Sequence, residues 1–215
     1  MRIPPATQAL LLALVIAFLL QKVVGIDATV PMMLWPLGSH AVQLMSGEVA
    51  MVGFRPWQLL TYGFMHGGWM HLFFNAFALY QFGPPIEQAW GSRRFAAYFL
   101  LSIVGSGLLQ LAVAALRPQD VYPVVGASGG LFAVLLAYAM LFPRNRMIVF
   151  PIPVAMSART VVIAYGALSL LAGVTGTVGG IAHFVHLGGL LVGWLLIRFW
   201  IMPKRPRPGG PSTYV

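Results

Sequence analysis

The chain has 215 residues, of which 59% are hydrophobic and 8% charged, and its mean hydropathy is +0.84. A soluble globular domain carries about 25% charged residues, so this composition excludes one and points to a polytopic membrane protein. The net charge of +9 does not argue for a nucleic-acid partner, because the basic residues stand in short clusters between apolar runs, as cytoplasmic loops do. With no cysteine, structural disulfides, a thiol nucleophile and thiolate metal ligands are all excluded.

Residues 6–24 form the first apolar run long enough to span a bilayer. The run exceeds a typical signal-peptide core and no small-x-small cleavage site follows, so it reads as a transmembrane helix. Residues 27–65 contain Pro31, Pro36, Gly38, Gly47 and Pro56 together with Trp35, Phe54 and Trp57. This stretch is too apolar for a solvated loop and too broken to span. It is expected to lie in the headgroup region, anchored by its tryptophans.

The second span is predicted over 69–87, the third over 95–116, the fourth over 128–142 and the fifth over 160–174. A glycine-rich link, 174–180, then leads to a sixth span over 181–202. Three glycines, Gly176, Gly179 and Gly180, suit that link to a lid. The domain reading is one six-span unit, 1–202, followed by a basic, Pro-rich tail, 203–215, expected to be disordered. With six spans, ten basic residues (Arg2, Arg93, Arg94, Arg144, Arg146, Arg159, Arg198, Lys204, Arg205 and Arg207) share one side. Only Lys22, Arg55 and Arg117 fall on the other. By the positive-inside rule both termini are cytoplasmic, in a multi-pass protein of the plasma (inner) membrane.

The fourth span is the one the others are arranged around. From Ser128 to its end it is roughly 22 Å long, short of the ~30 Å hydrocarbon core, so its first residue lies below the surface. The backbone before it, with Pro123 and Gly126, is irregular at membrane depth, which is tolerated only beside protein or a water-filled cavity. Polar groups on two other spans reach the same level. His71 and Asn75, spaced i, i+4, share one face near the start of the second span. His186 stands about 25 Å from the far end of the sixth. Intramembrane polar groups are costly and default to function.

Chemically these are a nucleophile, a base and an oxyanion stabiliser. An imidazole can take the Ser128 proton and return it to a leaving amine. The Asn75 amide, His71 and the Ser128 backbone N–H can hold the negative oxygen. Asp27, Glu48, Glu87 and Asp120 all lie in loops or near membrane ends, so a Ser–His dyad is available and a triad is not. His183, one turn before His186, could share its face, and spacing alone leaves both open as the base. Gly189 and Gly193 form a G-x-x-x-G face, and the fourth span carries the small residues Gly130, Ala133 and Ala137, a composition that allows close helix approach.

These motifs resemble those of the rhomboid intramembrane serine proteases. Gly126-Ala127-Ser128-Gly129 is similar to their nucleophile motif. His186 with Gly189 and Gly193 resembles their catalytic histidine and its following glycines, a spacing that His183 fails. His66, His71 and Asn75 resemble the second-span motif, Trp57-Gln58 through Thr61 the end of the large first loop, and Gly83, Glu87 and Gly91 a family turn. Two positions depart: many relatives have Arg where this chain has Gln58, and some have Tyr where it has Phe132.

The resemblance implies an all-α, six-helix rhomboid-like bundle with a large, partly embedded first loop. It implies a serine endopeptidase needing no cofactor or metal, with Ser128 as nucleophile and His186 as general base then acid. Asn75, His71 and the Ser128 N–H would form the oxyanion hole, supported by Gly126, Gly129, Gly189, Gly193 and Phe132. The expected partners are single-span or other transmembrane protein substrates within the lipid bilayer. The alternative is a non-enzymatic relative that binds or dislocates membrane proteins. A small transporter is a weaker fit, since neither paired intramembrane charges nor an inverted repeat is visible.

Overall fold

A computed structural model describes residues 2–149, 152–175 and 182–201. Its first long helix, α1 (Pro5–Val24), is followed by the single turn α2 (Ile26–Thr29) and the hairpin β1 (His40–Gln43) and β2 (Val49–Val52). A second short helix, α3 (Gln58–Thr61), leads to α4 (Trp69–Trp90) and α5 (Ser92–Ala115). Then come α6 (Ser128–Leu141), a second hairpin of β3 (Arg146–Val149) and β4 (Ile152–Ser157), α7 (Ala158–Thr175) and α8 (Ala182–Leu196). A π-helical turn, Ile197–Ile201, extends α8.

The six long helices coincide with the six predicted spans and form a helical bundle. Three stretches, Pro5–Val24, Ser92–Ala115 and His183–Ile201, are long and apolar enough to cross a membrane outright. The centre of the bundle is α6, which touches α4, α5, α7 and α8. Its core positions are small, with Ala133 and Ala137 fully buried. Residues 176–180 of the predicted 174–180 lid and the whole tail, 203–215, lie outside the described residues.

The first loop is more ordered than its composition implied. Its β1–β2 hairpin pairs His40 with Val52 and Gln43 with Val49. Asp27 receives the Met45 and Ser46 backbone N–H groups at 3.0 and 2.9 Å, fastening the hairpin turn to α2. The Met45 N–H is the main influence holding its carboxyl below the usual value. Met45, Val49, Met51 and Trp57 are exposed. Trp35, expected to be a second interfacial anchor, is instead buried, with its indole N–H donating to the Val30 carbonyl at 2.9 Å.

The departure at Gln58 has a structural outcome. Its side chain is 1% exposed. The amide oxygen accepts from the backbone N–H of Trp35 and Arg55, while Nε2 donates to the carbonyls of Pro31 and Gly53. One neutral amide thus serves both donors and acceptors from three parts of the loop, which an all-donor guanidinium could not do.

Glu87, placed by the sequence near a membrane end, closes the opposite side of the bundle. The α1 N-terminus has no side-chain cap of its own. Glu87 supplies it from α4, accepting from the Ala6 and Thr7 backbone N–H groups at 2.8 and 2.7 Å and from the Thr7 and Ser92 hydroxyls. A carboxylate at a helix N-terminus also meets the positive end of its dipole. Glu87→Ala should strand these buried donors, each at a cost of about 1–3 kcal/mol. The thermal midpoint of the purified protein should fall markedly, with Glu87→Gln intermediate because it keeps acceptor capacity.

Candidate active site

Ser128 is the first residue of α6, and the backbone reaches it through Gly126, whose φ of +113° is in the left-handed region open to glycine. The Gly126 N–H donates to the Tyr62 carbonyl at 2.9 Å, which fixes the approach. A Cβ on Gly126 would stand 2.6 Å from His71 Nε2 and 3.8 Å from Asn75 Nδ2. Gly126 is therefore required twice, once for its conformation and once for lack of a side chain. Its bareness brings the Ser128 loop onto the His71/Asn75 face of α4.

The donors on α4 are oriented. The Gly67 N–H donates to His71 Nδ1 at 3.4 Å. A neutral imidazole accepting at Nδ1 carries its proton on Nε2, and Nε2 is the nitrogen beside Gly126. Asn75 is buried and donates one amide hydrogen to the His71 carbonyl at 2.9 Å, which fixes the amide plane. The His66 ring lies edge-on to His71 at 5.0 Å between centroids. Its backbone is clamped by Gln21 of α1, which both donates to the His66 carbonyl and accepts from its N–H.

On the other side, α8 presses against α6. Val185 Cγ1 would lie 3.0 Å from a Cβ on Gly129, and a Cβ on Gly189 would collide with the Gly129 carbonyl. One turn further, a Cβ on Gly193 would lie 2.8 Å from that of Ala133 and 2.6 Å from the Tyr98 hydroxyl. The residue after Ser128 thus touches the residue before His186. The His186 ring stacks face to face on Phe132, with centroids 4.3 Å apart and planes 5° from parallel. Phe132 is four residues after Ser128, hence one turn along the same face of α6.

His183 is edge-on to His186 at 6.0 Å between centroids. Of the two histidines, His186 is the one with a described ring stack on Phe132, and His183 is described against the edge of His186. Stacking on Phe132 needs no hydroxyl, so the expected departure from Tyr leaves the ring contact in place. Two participants had no sequence signal of their own. Tyr165 of α7 meets Phe132 edge-on at 6.2 Å, and Ser106 of α5 backs Gly129, 2.6 Å from where its Cβ would be. Neither belongs to a recognisable motif, and only the packing singles it out.

Comparison with known proteins agrees with this architecture. Residues 53–203 match the Rhomboid domain, and the chain belongs to the rhomboid family. It is 33% identical to Rhomboid protein 1, mitochondrial, of Saccharomyces cerevisiae over 66% of this chain and 40% of that protein. It is 33% identical to Rhomboid protease GluP of Bacillus subtilis over 69% of this chain and 27% of that protein. Similarity to Rhomboid protease GlpG of Pectobacterium atrosepticum, at 22% identity, extends over 95% of this chain and 65% of that protein. The chain thus spans less than two thirds of each of these relatives.

Proposed function

We propose that the protein is an intramembrane serine endopeptidase that cleaves transmembrane protein substrates with a Ser128–His186 dyad. The observation that carries this reading is the face-to-face stack of His186 on Phe132, one helical turn from Ser128, opposite the His71/Asn75 face that Gly126 admits. Two relatives that bear the name of rhomboid protease support it at the level of the family.

In this reading Ser128 Oγ attacks the scissile carbonyl carbon while His186 takes its proton. The resulting oxyanion sits between the Ser128 N–H, the His71 Nε2–H and the second amide hydrogen of Asn75. Collapse of the intermediate breaks the C–N bond, and His186 returns the proton to the leaving amine. Water then attacks the acyl-Ser128 ester, with His186 again as base, releasing the carboxylate and the free serine. A helical substrate hides its carbonyls in its own hydrogen bonds and must unwind locally to reach Ser128.

The deciding measurement compares wild type with Ser128→Ala in lipid against a single-span substrate. Substrate binding without cleavage by the wild type would instead favour a membrane-protein binding factor. Loss of one preorganised oxyanion donor typically costs about 10²–10³ in rate. His71→Ala and Asn75→Ala should each be slowed by that order at saturating substrate and remain active, because the donors share the charge. Wild-type rates in both variants would leave these side chains a packing role.

A further inference from the structure

The hairpin between α6 and α7 has no part in the chemistry above, and its surface is unusual. It pairs Arg146 with Ser157 and Ile148 with Ala155. Its base is fastened to the bundle: the Ala158 N–H donates to the Asn145 carbonyl, and Asn145 donates through Nδ2 to the Tyr138 hydroxyl. Ser157 caps α7 by accepting the Thr160 N–H at 3.1 Å. Beyond that base, Ile148 is 60% exposed and Val154 59%. Arg144 and Arg146 precede the apolar positions and Arg159 follows them, all exposed.

A two-stranded hairpin is marginal in water unless a surface covers it; α7 packs against both strands and Met156 reaches the bundle core, while Ile148 and Val154 stay exposed. The covering surface can be identified from position and charge. The hairpin joins the ends of two bundle helices, α6 and α7, so it sits where the bundle leaves the hydrocarbon. Arg2, Arg93, Arg94 and Arg198 stand at the same end. The one acid at that end, Glu87, is committed to α1. An uncompensated guanidinium group beside exposed aliphatic side chains is the pattern of an interfacial element, with stems among acyl chains and heads among phosphates. Arginine binds phosphate bidentately.

We propose that the β3–β4 hairpin is a lipid-binding element in the headgroup layer at the basic end of the bundle. Ile148 and Val154 contact the acyl boundary, while Arg144, Arg146 and Arg159 hold the phosphates of anionic phospholipids. This does not depend on the protease reading.

The test uses the cysteine-free chain, with a single spin-labelled cysteine at position 148 or 154, in nanodiscs of phosphatidylcholine alone or mixed with phosphatidylglycerol. Label depth is read from the ratio of oxygen to water-soluble-nickel collision rates. With phosphatidylglycerol, both labels should lie in the headgroup–acyl boundary and be protected from the nickel reagent. Each arginine near an anionic surface is worth about fivefold in partitioning. The triple variant Arg144→Gln, Arg146→Gln and Arg159→Gln should therefore lose the dependence on anionic lipid, and the corresponding triple Lys variant should retain it. Labels open to nickel in both lipids would overturn the proposal and leave these side chains available to a soluble protein. A lipid dependence that survives the Gln variant would overturn the role of the arginines. In detergent, inorganic phosphate should leave the label unchanged; protection equal to that in phosphatidylglycerol would assign the arginines to free phosphate instead.

Discussion

Ser128→Ala is expected to bring cleavage of a membrane-embedded single-span substrate down to background, and His186→Ala to do the same. In serine hydrolases, losing the nucleophile or the base alone costs on the order of 10⁶ in rate, because the two act as one unit. The double variant should therefore be no slower than either single. Folding should survive, since neither side chain is a large buried core residue and helix α6 keeps its small-residue contacts in Ser128→Ala. His183→Ala supplies the contrast. Its described ring contact is with the edge of His186, whereas His186 stacks on Phe132, so substantial activity should remain. Cleavage by His186→Ala with an inactive His183→Ala would reverse the assignment of the base. The readout is turnover in lipid, with size-exclusion profiles and thermal midpoints confirming that each variant is folded.

Gly189→Ala is expected to be the most damaging single-methyl change in the bundle. The added Cβ would collide with the Gly129 carbonyl, which is backbone and cannot rotate away. Helix α8 must then retreat from α6 at the level where Val185 touches Gly129 and His186 lies on Phe132. Overpacking of this kind costs typically about 1–3 kcal/mol. Displacements of about 1 Å near the chemistry can cost about 10²-fold in rate, so activity should fall further than stability. Gly166→Ala on α7 is the control. Its Cβ would meet only the Leu190 Cδ1 at 3.1 Å, the far end of a flexible side chain. Alanine also favours a helix interior over glycine by about 1 kcal/mol, so Gly166→Ala should be neutral or stabilising. If thermal unfolding and turnover respond alike at the two positions, the close approach of α6 and α8 is not what holds the site together.

Much of this protein was legible in one dimension because the bilayer is a simple solvent. Hydrocarbon demands long apolar helices with their backbone bonds satisfied internally, so composition and run length located all six long helices and the start of α6 at Ser128. The cost of polar groups at membrane depth singled out His71, Asn75 and Ser128, with His186 and His183 both left open, and the G-x-x-x-G spacing marked the face of α8 that packs closely. What run length could not convey is how the parts meet. That Gly126 lies bare against His71 Nε2, that His186 stacks on Phe132, and that Tyr165 and Ser106 border the site were decided by tertiary packing. So were the buried hub at Gln58, the capping of α1 by Glu87 and the inward turn of Trp35. Most of these pair residues distant in the chain, through side-chain directions and donor–acceptor geometry. A hydropathy pattern encodes depth, not direction, and only the folded bundle supplies the second.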